Sequence, residues 1–175
     1  GERPVSDYQQ GKECTNGNCD RRGQYLDAVT DLLVDDLEWM TAQWAQGSPD
    51  NYRAQLMSAD ADEGVQKMLF GMGSLSLGEL AGERMKVALE ANSFEDEHDC
   101  FSDNTHNSHY YNGQGIQNVY TGNYKTISGK TLSGPSISTL VSSKNTDVAK
   151  ALNTKINASL AAAKVVVDSA EKDGI

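Results

Sequence analysis

Two long runs of helical period frame this sequence and restrict it to a helix-on-helix fold. From about Arg21 to Ala45, Leu26, Val29, Leu33, Leu37, Met40 and Trp44 recur at steps of three and four, with Asp27, Asp31, Asp35 and Glu38 mostly opposite. From about Thr146 to Ala170, Val148, Leu152, Ile156, Leu160, Ala163 and Val167 form a second stripe. Each stripe asks for neighbours of the same kind, and no strand-like alternation or internal repeat persists between them.

The intervening sequence supplies shorter helices. Gly47-Ser48-Pro49-Asp50 ends the first, and Asn51 to Met57 reads as a short helix with Tyr52 and Leu56 inward. Residues 61–91 are again amphipathic, through Val65, Met68, Leu69 and Met72 and then Leu80, Val87 and Leu89. Gly71, Gly73, Gly78 and Gly82 interrupt them. Each glycine inside a helix costs up to about 1 kcal/mol against alanine, so the cluster predicts a kink, a break or a closely packed neighbour. Asp103-Asn104 is a good helix cap, which starts a helix near His106 that runs through Tyr110, Ile116 and Val119. Ile127 to Pro135 reads as a loop, Gly134-Pro135-Ser136 leads into a short helix through Leu140 and Val141, and Asp173-Gly174-Ile175 should fray. The expected architecture is all-α: a helical bundle of five or six helices over residues 21–175, after a polar N-terminal loop over residues 1–20.

Charge narrows the partners. Among 175 residues, 25 acids face 15 bases, a formal net charge of −10, and no basic stripe is present, which argues against nucleic acid. No apolar run approaches the ~20 residues that span a bilayer. The chain starts at Gly1 without a methionine, so it is expected to be a processed product or a fragment.

The residues able to carry chemistry are few. Cys14 and Cys19 flank an Asn-Gly turn, and a small-loop disulfide is favoured over a metal pair, which would call for a second ligand pair. A disulfide implies an oxidising compartment. Cys100 is then left over. Glu79 and Glu83, at i and i+4, share a helix face, where Arg84 and Lys86 are the local counter-charges. All three histidines, His98, His106 and His109, fall in the acidic stretch Glu95–Gly122. His106 in a first helical turn is a suitable metal donor and, with His109 at i+3, could share a metal, but His98 sits in a solvated acidic loop and no Glu-x-x-His or His-Glu-x-x-His pattern completes a site. No nucleophile elbow, phosphate loop or dinucleotide fingerprint is present.

At Gly78-Glu-Leu-Ala-Gly-Glu-Arg-Met85 and Asp96-Glu-His-Asp-Cys-Phe-Ser-Asp-Asn-Thr-His106, the chain resembles the imelysin family. Cys14–Arg22, Gly115–Tyr120 and Ser133–Ser136 fit the same comparison. The resemblance implies a bacterial, exported, all-helical protein of two bundle-like halves with a site between them. It further implies a link to iron or metal acquisition and a classification as metallopeptidase. The family's hallmark, Gly-x-His-x-x-Glu, belongs to the upstream half and does not occur here. This chain therefore looks like the downstream half, whose expected partner is a second chain carrying that motif. Glu79, Glu83, Asp103 and His106 lie in matching blocks and are the candidate metal ligands, for iron or zinc, with the remaining ligands outside this chain. The expected function is metal binding or uptake in the periplasm or at the cell surface, with outer-membrane association. A metallopeptidase and a non-catalytic cell-surface interaction module are the alternatives.

Overall fold

The computed structural model describes residues 3–9 and 11–173. The fraying expected at Gly174 and Ile175, and the loop reading of Gly1, Glu2 and Gln10, fall outside the described residues. The helices are α1 (Cys19–Trp44), α2 (Tyr52–Ser58), α3 (Ala61–Gly73), α4 (Lys86–Ala91), α5 (Thr105–Thr121), α6 (Ile137–Lys144) and α7 (Thr146–Asp173). A π-helical segment, Ser74–Met85, joins α3 to α4 without a break, so the described residues form six helical rods. The all-α bundle is borne out. The chain divides into two compact units, Gly1–Gly64 and Val65–Ile175.

In the first unit, the polar N-terminal loop gathers around Asp7, one of few buried charges among the described residues. Its carboxylate accepts from Thr15 at 2.9 Å and pairs with Arg3 at 3.1 Å, while Arg22 of α1 donates to the Asp7 carbonyl at 2.8 Å. Desolvation alone would raise the Asp7 carboxyl, but the Thr15 hydroxyl and the two guanidinium groups outweigh it and hold it below the usual range. Cys14 and Cys19 form the expected disulfide, with Cα atoms 5.8 Å apart. The turn between them takes its left-handed residue at Asn18 rather than at Gly17.

Asn51 joins α1 to α2. Its side-chain amide donates to the Ala42 and Ala45 carbonyls at 3.0 and 2.8 Å, closing α1, and its carbonyl oxygen caps α2 by accepting from the Ala54 N–H at 2.9 Å. Tyr52 is not inward as expected. It is 44% exposed and meets Trp44 edge to face at 5.3 Å, because α2 reaches only the last turns of α1. The α1 stripe from Leu26 to Trp44 accordingly lies exposed along its length.

In the second unit, the glycine cluster resolves as a change of winding rather than a kink or a break. From Ser74 to Met85 the rod widens to five-residue hydrogen-bond steps, ending with the Lys86 N–H on the Ala81 carbonyl. A Cβ on Gly82 would meet the Leu77 carbonyl oxygen at 3.0 Å, so glycine is what the wider turn accepts there. Gly71, Gly73 and Gly78 have nothing within 4 Å of such an atom, and no neighbour packs against them.

The core sits where α5, α6 and α7 meet, at Tyr120, Ile137, Ala149 and Val167. Helix α5 starts where expected, but Asn104 does not cap it through its side chain, which instead accepts from Asn107 at 3.0 Å. The segment after α5 is not only loop: β1 (Asn123–Lys125) pairs antiparallel with β2 (Thr131–Ser133), Tyr124 opposite Leu132. Three-residue strands are too short to leave a period in the sequence. Gly122 makes the corner, at φ 65°, where a Cβ would lie 2.8 Å from the Pro135 carbonyl oxygen.

Candidate functional site

The second unit holds an open pocket of about 450 Å³ between the α4 rod, the loop after it, the start of α5 and the last third of α7. Met85, Ala88, Leu89 and Phe94 form one apolar side and Ala163 and Val166 the other. Arg84, Glu97, Asp103, Thr105, His106 and His109 bring the polar groups. The local fold explains their convergence. Asn92, left-handed at φ 47°, stops α4 and reverses the chain into the acidic loop. Thr105 then ties that loop to α5: its hydroxyl accepts from the Asp99 N–H at 3.1 Å and donates to the Glu97 carboxylate at 3.2 Å. Asp103 sits at φ 50°, a left-handed turn that aspartate tolerates better than most residues, and leads into the first turn of α5.

Of the four ligand candidates, the structure brings two together. Asp103 and His106 share the pocket wall. Glu79 and Glu83 are exposed on the π segment, outside that wall, and Glu79 pairs with Arg84 at 3.5 Å. Lys86 turns instead to Glu90, at 3.7 Å. Among the described residues, no three or more His, Cys, Asp or Glu side chains are gathered in a way that would hold a metal ion.

His109, one turn beyond His106, is also on the wall, as its i, i+3 spacing from His106 allows, although it lies outside the block that matches the family and was not among the four candidates. Its ring lies 6.4 Å from that of His98, near parallel, and its Nε2 is buried with no hydrogen-bond partner. Burial, followed by the nearby His98, pushes its pKa below the ordinary histidine value, against the opposite pull of Asp99 and Glu97. His109 is therefore neutral at pH 7. One oxygen of Asp99 is likewise buried without a partner. His98 is exposed, as its acidic loop led one to expect, and Cys100 is a free, half-buried thiol. Glu97 and Phe94 are wall residues the sequence did not single out, and Arg84 was expected there only as a counter-charge to Glu79 and Glu83. A tie through Thr105, eight residues past Glu97, leaves no spacing signal.

No helix among the described residues is long and apolar enough to cross a membrane. Compared with models of known families, residues 1–175, the whole chain, match the one described as Imelysin, which carries a peptidase label. A search of curated proteins gives no match.

Proposed function

This chain belongs to the imelysin family, and from that premise we propose that it is an exported metal-binding protein serving iron or metal uptake. In this reading, the chain contributes Asp103 and His106 to a site that residues outside it complete. The observation that carries the reading is the placement of a carboxylate and an imidazole, three residues apart, on one wall of a pocket. Two donors do not make a centre, since zinc and iron sites take three or more protein ligands. The described residues hold no such group on their own, so the chain by itself does not fit a metal, and no reaction step is assigned to one. The missing donors are those of a segment carrying Gly-x-His-x-x-Glu. Within the first unit the α1 stripe, Leu26 to Trp44, is exposed, which supports the docking of further helices on it. The Cys14–Cys19 disulfide supports export to an oxidising compartment.

Calorimetric titration with zinc(II) and iron(II) tests the reading. The chain alone should bind weakly, and the chain together with the upstream segment at least about tenfold more tightly, a gain of ~1.4 kcal/mol. Equal affinity with and without that segment would sink it.

A further inference from the structure

The pocket wall holds more apolar surface than a metal site needs. Leu89 and Phe94 stand 79% and 71% exposed at its edge, and Met85 and Ala163 lie on the same wall. Its volume of about 450 Å³ lies within the range of small-molecule sites, about 300–1,000 Å³. The charges on this wall are unbalanced. Arg84 is already engaged by Glu79 at 3.5 Å. Among the described residues, neither Glu97 nor Asp103 has a cationic side chain within 4 Å, and Glu97 keeps only the hydroxyl of Thr105. Two unpaired carboxylates beside an apolar chamber, on a chain of net charge −10, favour a cation with an apolar body over a neutral or anionic one.

We propose that this pocket binds an amphiphilic organic cation, with an ammonium head between Glu97 and Asp103 and an apolar body against Leu89, Phe94 and Val166. The ammonium supplies the cationic donor that the two carboxylates lack, and Phe94 lines the same pocket as an apolar aromatic surface. The site lies wholly within the second unit and needs neither a metal nor an upstream segment. It shares Asp103 with the metal reading, so the two occupants exclude one another, and a test run with chelator reads the organic cation alone.

The test uses the whole chain in the presence of a chelator, titrated with octylammonium, octanol and octanoate and followed by NMR of the Phe94 and His106 rings. Octylammonium should bind at least about tenfold more tightly than octanol, and octanoate most weakly. Glu97→Gln should narrow the gap between octylammonium and octanol several-fold while leaving octanol unchanged. Ala163→Phe, which fills the chamber, should weaken all three. If it does not fold, the Glu97→Gln comparison decides alone. Octanoate binding as well as octylammonium, no ring shift with any probe, or an unchanged preference in Glu97→Gln would overturn the proposal.

Discussion

The Arg84 guanidinium lies 3.5 Å from the carboxylate of Glu79, five residues earlier on the same rod. On an α-helix such residues would stand about 140° apart around the axis. The five-residue steps of the π segment bring them onto one side. Both side chains are partly exposed, so the pair adds little stability. Its consequence is positional: Arg84 reaches the pocket wall with its charge already answered.

The winding makes Gly82 and Gly78 respond in opposite ways. Gly82→Ala should destabilise the protein by about 1–3 kcal/mol, since the new methyl meets the Leu77 carbonyl oxygen. Gly78→Ala, with open space around it, should stabilise by roughly 0.5–1 kcal/mol. Urea melts of the two variants check this, and equal shifts would mean that the rod is wound as an ordinary α-helix.

Asn51→Ala removes the cap of α2 and both donors that close α1. Asn51 is buried, so water does not replace them, and the loss should be about 1–3 kcal/mol. Thermal unfolding followed at the Trp44 fluorescence is the measurement. A shift no larger than that of an exposed surface asparagine would refute the double role.

Helix existence was legible in the sequence, because the steps of three and four in Leu26–Trp44 and Val148–Val167 admit one reading. The outcome of those stripes was not. Val167 reaches the core, whereas the α1 stripe stays exposed, and periodicity alone says nothing about what covers a face. The glycine cluster announced an irregularity, but its form depends on where the Leu77 carbonyl sits, which no composition encodes. The site was half legible. His106 stood out at the helix start and Asp103 in the block that matches the family, and His109 followed at i+3, while Glu97 is brought in by a chain reversal at Asn92 and a threonine tie.

The depressed pKa of His109 sets a pH dependence. Because the folded value lies below the unfolded one, near 6.5, the unfolded chain takes up the proton first as pH falls. The folded state keeps its full stability above about pH 6.5 and loses part of it as pH drops from there through the folded pKa. His109→Leu should flatten that segment of the stability profile. Urea unfolding at pH 7.5 and pH 5 in the two proteins measures it, and parallel profiles would exclude His109 as the cause.

The disulfide closes a very short loop, so its removal should be modest. Cys14→Ser with Cys19→Ser should cost roughly 2 kcal/mol by the loop-entropy relation. The effect should centre on the first unit, where Thr15 of the loop and Arg22 of α1 both bind Asp7. Hydrogen exchange at the start of α1 reports it. Faster exchange confined to α5 and α7 would contradict this placement.

Asp103 and His106 are proposed to donate together to a metal completed from outside the chain. A zinc-edge anomalous map of the chain crystallised with the segment carrying Gly-x-His-x-x-Glu tests it most directly. One zinc is expected within about 2.0–2.2 Å of both a His106 nitrogen and an Asp103 oxygen. A zinc seated on Glu79 and Glu83, or on the upstream segment alone with α5 untouched, would contradict it.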